Sequence, residues 1–111
     1  MKRLQKIGLL VALAGNGAAH ADAVAQGTAI YNQTCIACHG ANGKSPIPGI
    51  PSLNDPKGPL NKSDDVLFRS IRDGMQRPGA AMTMPAKGGN PAISDQDIEA
   101  VIRYLRSAFQ S

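Results

Sequence analysis

The 111 residues carry 12 Lys and Arg against 8 Asp and Glu, and a chain of this length is one small domain. Trp is absent and only two Phe and two Tyr occur, yet domains this small bury too little surface to be robust without a staple or a cofactor. The basic excess does not point to nucleic acid, because Lys2, Arg3 and Lys6 fall in a segment that reads as a leader.

That segment has the three parts of a secretory signal peptide. Met1, Lys2, Arg3 and Lys6 make a positive start, Ile7 to Leu13 a short apolar run, and Ala19-His20-Ala21 a small-x-small cleavage site before Asp22. The apolar run is far shorter than the roughly 20 residues a spanning helix needs, and no Cys follows it to carry a lipid. The sequence predicts a cleaved signal peptide over residues 1–21 and a single domain over 22–111, exported as a soluble protein to a bacterial periplasm, without stable membrane insertion once the leader is gone. Removing the leader leaves nine basic against eight acidic residues, a net charge of +1. Nucleic-acid binding then has no support. His20 is lost too, so the mature chain has one His and two Cys, all in one motif.

From about Asp22 to Thr34, Val24, Gly27, Ile30 and Tyr31 recur at helical spacing, predicting a short amphipathic helix. It runs into Cys35-Ile36-Ala37-Cys38-His39. Two thiols two residues apart, followed at once by an imidazole, form the attachment signature of a c-type haem. The thiols add across the two vinyl groups of the porphyrin, and the adjacent His is held beneath the ring where one nitrogen binds iron. A thioredoxin-like motif expects strands alternating with helices, and no strand pattern is present. A structural zinc site wants four Cys or His ligands, more than the mature chain offers. A disulfide between Cys35 and Cys38 would close a very tight loop and leave His39 unexplained.

After His39, Gly40 to Lys62 holds Pro46, Pro48, Pro51, Pro56 and Pro59 and cannot be regular helix or strand. A loop this long argues against a compact domain unless it wraps something, and a disc-shaped cofactor gives it a surface. Ser63-Asp64-Asp65 reads as a helix start, with Val66, Leu67 and Ile71 on one face and Gly74 as the stop. Gly74 to Ile93 is a second irregular stretch, with the remaining prolines Pro78, Pro85 and Pro91 and with Met75, Met82 and Met84. Ser94 and Asp97 form a capping box for a terminal helix whose apolar stripe is Ile98, Val101, Ile102, Leu105 and Phe109.

This order of elements resembles the class I cytochromes c over nearly all of residues 22–109, most closely at Cys35 to His39, at Met84-Pro85-Ala86 and at Ser94 to Arg106. The resemblance implies an all-α cytochrome c fold: three or more short helices, with long Pro/Gly-rich loops wrapped around one haem c bound covalently through Cys35 and Cys38. It also implies that the first and last helices cross steeply, Gly27 permitting close approach under Tyr104, and that the Pro51 carbonyl accepts a hydrogen bond from the proximal His39.

With His39 committed and no other His in the mature chain, the sixth iron ligand is a Met, a Lys or an open position. The resemblance favours Met84, which precedes Pro85 in a Met-Pro-Ala-Lys-Gly-Gly loop like that of the family. Proline also restricts the residue before it to extended conformations. Met82, Met75 and Lys87 remain rivals, and each Met has the ordinary alternative of filling core or surface. A His/Met iron has no open site for oxygen or peroxide, and the thioether raises its potential, so the expected function is single-electron transfer between redox partner proteins (dehydrogenase, oxidase or reductase), not catalysis. The alternative is a haem enzyme, or a gas or peroxide sensor, with a labile distal Met. Lys44, Lys57, Lys62, Arg77 and Lys87 fall in the loops expected near the haem edge and would steer an acidic partner. Asp22, Asp55, Asp64, Asp65 and Asp73 dilute that field.

Overall fold

The computed structural model describes the backbone of residues 7–76, 78 and 82–110, and the side chains of this set from residue 17 onward. The predicted positive start of the leader and Arg77 lie outside the described residues. Among the described residues the regular structure is helical, apart from one antiparallel bridge between Met75 and Met84.

The first helix, α1, spans Ile7–Ile30, so it begins well before the Asp22 expected from periodicity. The stretch is rich in Ala and Leu, which are strong helix formers, and contains no proline. It therefore continues unbroken through Ala19-His20-Ala21. No helix among the described residues is long and apolar enough to cross a membrane. The end also differs from expectation: at Tyr31 the helix widens into a π-helical turn, Tyr31–Cys35, before the four-residue α2, Ile36–His39. Single π turns of this kind are frequent at functional sites.

The two later helices follow the expected signals closely. Helix α3 spans Asp64–Asp73, with the Ser63 hydroxyl accepting the Val66 N–H and Gly74 ending it at φ 83°. Helix α4 spans Asp95–Phe109, and its capping box is complete: Ser94 Oγ accepts from Asp97 N at 3.1 Å and Asp97 Oδ2 accepts from Ser94 N at 3.0 Å. The two irregular stretches each contain a short 3-10 turn, Pro59–Asn61 and Ala86–Gly89.

Helices α1 and α4 form the main contact of the fold. A Cβ at Gly27 would collide with the Ala100 carbonyl and lie 2.9 Å from the Cβ of Tyr104, so the two backbones meet where only glycine fits. Below this contact Tyr31, Tyr104 and Phe109 stack at centroid separations of 5.1 to 5.8 Å. The α4 stripe Ile98, Val101, Ile102 and Leu105 is buried with Tyr31, Leu53, Leu60 and Leu67, each large aliphatic residue contributing about 1.5–3 kcal/mol relative to exposure. Arg106 ties α4 to the loop before α3, donating to Asp64 Oδ1 at 2.6 Å and to the carbonyls of Leu60 and Lys62 at 2.9 and 2.8 Å.

Candidate functional site

The core is not filled by these side chains. A cavity of about 450 Å³ opens between the helices and the two proline-containing loops. Cys35, Cys38 and His39 line it from the motif turn, Met75, Met82 and Met84 from the second loop, and Leu53, Leu60, Leu67, Ile71, Ile98 and Leu105 between them. A largely apolar hollow with a few polar groups on its wall is the usual form of a cofactor pocket. All four residues that the sequence singles out for haem binding therefore border one space.

The thiols are not joined to each other. Burial, and then the neighbouring Cys38, push the Cys35 thiol up to about 11, so it is protonated at neutral pH. Burial also lowers the His39 imidazole below its ordinary value, favouring the neutral ring that a metal requires. No three His, Cys, Asp or Glu side chains among the described residues are grouped to hold a metal ion. His20 is exposed on α1 and does not border the cavity.

One expectation is not met. Among the described residues His39 Nδ1 has no hydrogen-bond partner, so the bond to the Pro51 carbonyl is not made, although Pro51 lines the same cavity. His39 is held instead through the backbone on either side of it, where Tyr31 OH donates to the Gly40 carbonyl and Ser45 Oγ to the Cys38 carbonyl.

The second loop is shaped by two devices. Met75 N–H donates to the Met84 carbonyl at 2.9 Å and Met84 N–H to the Met75 carbonyl at 2.8 Å. Directly opposed residues of an antiparallel pair project their side chains to one face, which here is the cavity. Beyond Pro85 the chain reverses through Lys87 at φ 56° and Gly88 at φ 62°, and Gly88 packs so tightly on Thr34 that a Cβ would stand 2.6 Å from its Cγ2. Met84 is thereby fastened on both sides. Met82 is 49% exposed.

A wall of two thiols and a half-buried imidazole, sharing an apolar space with thioethers, fits an iron porphyrin: sulfur for the vinyl groups, nitrogen for the iron, hydrocarbon for the ring. The comparisons with known proteins agree. The family profile described as cytochrome C oxidase, cbb3-type, subunit III matches residues 22–105. This chain belongs to the cytochrome c family.

Cytochrome c4 of Pseudomonas aeruginosa is 30% identical over 101 residues, covering 91% of this chain and 46% of that protein. Cytochrome c-554(548) of Halomonas halodenitrificans is 34% identical over 76 residues, 67% of this chain and 83% of that protein. A Pseudomonas lupanine 17-hydroxylase (cytochrome c) is 36% identical over 81 residues, 71% of this chain and 10% of that protein. The chain spans about half the length of the cytochromes c4 that it matches. No solved structure matches. Membership of the cytochrome c family implies a covalently bound haem c.

Sequence reasoning missed several residues that shape the site of this cytochrome c domain. Leu53 and Leu60 lie in the first proline-containing loop, outside any periodic pattern, yet both are buried against the cavity. Their signal was isolated leucines in a polar, proline-rich stretch. The hydroxyls of Tyr31 and Ser45 had no sequence signal beyond their nearness to the motif.

Proposed function

We propose that the chain is an exported, periplasmic single-electron carrier with one haem c, bound through Cys35 and Cys38, and with His39 and Met84 as axial ligands. When bound, the haem supplies reversible ferric to ferrous cycling. The observation that carries the reading is the single cavity shared by the motif turn and the second loop, with Met84 the thioether fixed on both flanks. Met82 is largely exposed and Met75 precedes no proline, so Met84 is the best-supported sixth ligand. His39 and Met84, held by the backbone on their flanks, would hold the iron with little rearrangement on a change of charge, which suits outer-sphere electron transfer. They also leave no open position for peroxide or a gas.

Removal of residues 1–21 is supported by the start of the family match at Asp22 and by the anchoring of α1 beyond the cleavage site, where Gln26 donates to Asp97 at 2.7 Å. Partners are redox proteins that dock at the cavity mouth, where Lys57, Lys62 and Lys87 outnumber Asp55. The match to a short part of a hydroxylase supports an oxidoreductase as one such partner.

The decisive experiment is mass spectrometry and redox titration of protein purified from the periplasm. The expected result is the mass of residues 22–111 plus one haem, with a one-electron titration and a far-red sulfur-to-iron band in the ferric state. Bare polypeptide, or rapid carbon monoxide binding by the reduced protein at neutral pH, overturns the carrier reading. Electron transfer to a partner that does not respond to ionic strength overturns the role of the lysines.

A further inference from the structure

We propose that the Tyr31 and Ser45 hydroxyls are a positioning pair for His39, acting on the peptide to either side of it; the proposal rests on the reading of His39 as an iron ligand. Helix α2, Ile36–His39, follows the π turn without a break and ends the helical run that begins with α1. His39 is its last residue, in the region where helix carbonyls lack intrahelical partners. The Cys38 carbonyl before it is one such group, and the Gly40 carbonyl after it lies just beyond the helix end, where it also accepts the Gly43 N–H at 3.4 Å.

Each is taken by a hydroxyl from outside the helix. Ser45 Oγ donates to the Cys38 carbonyl at 2.5 Å and itself accepts the Ile47 N–H at 3.0 Å. Tyr31 OH donates to the Gly40 carbonyl at 2.5 Å. Tyr31 is fully buried, and its ring is wedged between Tyr104 and Phe109, so its hydroxyl is a fixed donor. Gly40 has φ 81°, and a Cβ there would collide with the Lys44 carbonyl. The turn from Cys38 to Ser45 is thus closed on itself and pinned at two points.

The imidazole has no such support of its own, since Nδ1 has no partner among the described residues. A second hydrogen bond to a ligating histidine is the common means of setting ring orientation and basicity. Here the peptide clamp sets the direction of the Cα–Cβ bond, from which the ring is presented to the cavity.

The test compares holo-protein variants by ferric paramagnetic resonance and by midpoint potential. Tyr31→Phe removes one oxygen and keeps the stacked ring; Ser45→Ala removes the other donor; Tyr104→Phe is the control, since its hydroxyl makes no hydrogen bond among the described residues. The expected result is that Tyr31→Phe and Ser45→Ala each shift the g values and the potential, that Ser45→Thr restores both, and that Tyr104→Phe changes neither. If both variants keep the wild-type g values and potential while only their melting temperatures fall, the hydroxyls are purely structural and the proposal fails. Should Tyr31→Phe not yield folded holo-protein, Ser45→Ala with its Ser45→Thr rescue decides alone, and an unshifted Ser45→Ala overturns the pair. The underlying reading is judged separately on wild-type protein: a ferric spectrum without low-spin histidine ligation defeats that reading, whatever the variants do.

Discussion

Met75 and Met84 exchange both of their backbone hydrogen bonds, so the two thioethers leave the bridge on the same face and border the same cavity. The bridge closes a loop that contains Met82, which has no such restraint and is 49% exposed. Replacing the three methionines singly by Ala is expected to abolish the far-red ferric charge-transfer band only for Met84→Ala. Magnetic circular dichroism of the holo-proteins reads the result, and a band that survives in Met84→Ala but vanishes in Met75→Ala or Met82→Ala reassigns the ligand.

The meeting of α1 and α4 leaves no room at Gly27. Gly27→Ala drives a methyl group into the Ala100 carbonyl, a clash with backbone that no rotamer change relieves, and overpacking of this kind costs about 1–3 kcal/mol. Denaturant unfolding should show that loss. Ala25→Ser, on the exposed side of the same helix, is expected to stay within about 0.5 kcal/mol of wild type.

Acid sensitivity has an identifiable contributor in Asp97. Its carboxyl is held below the ordinary value of 3.8 by the Ser94 backbone N–H first, then by the Gln26 amide and the Ser94 hydroxyl. A carboxylate with a depressed folded value stabilises the fold fully above its unfolded value and loses that contribution as pH falls through the folded one. The stability gap between wild type and Asp97→Asn should therefore be widest at pH values above 3.8 and close on further acidification. Unfolding curves across that range measure it, and a gap that widens toward acid contradicts the sign.

Haem attachment should decide whether the chain folds. A cavity of about 450 Å³ in a chain of 111 residues leaves the buried leucines of the first loop with few partners, and small domains have little stability to spare. The double variant Cys35→Ser, Cys38→Ser is expected to lose the far-ultraviolet helical signal and the cooperative thermal transition. Retention of both in the haem-free chain contradicts a fold built around the cofactor.

Ile98 tests the apolar wall. It is fully buried and borders the cavity from α4, so Ile98→Ala should cost about 2–5 kcal/mol in the denaturant unfolding of holo-protein. A smaller loss would mean that the wall collapses inward to fill the space.

Much of this architecture was legible because it rests on local rules. The Ser94–Asp97 capping box and the Ser63 cap are set by side-chain to backbone bonds three residues apart, the Gly74 stop by its positive φ and its backbone bond to Ser70, and a linear reading finds those. The π turn at Tyr31 is different: it follows from Tyr31 packing against Tyr104 and Phe109, residues more than seventy positions away. Likewise, nothing near Met75 announces its pairing with Met84, since bridge partners are chosen by how the loop folds back. The extension of α1 through Ala19-His20-Ala21 reflects intrinsic propensity, which the cleavage pattern masked. At the site, the motif named the two thiols and the imidazole, and the Met-Pro dipeptide drew attention to Met84. The clamp on His39 depends on a serine and a tyrosine whose roles only three-dimensional proximity reveals.

The glycine contact between α1 and α4 joins helices more than seventy residues apart at Gly27 and Ala100. A single proteolytic nick in the exposed stretch around Pro48 and Gly49 would separate one piece carrying the attachment motif from another carrying the thioether loop. Each piece keeps one half of the helix crossing. The two are complementary fragments, suited to reassembly on mixing, with the tethered porphyrin as the template between them.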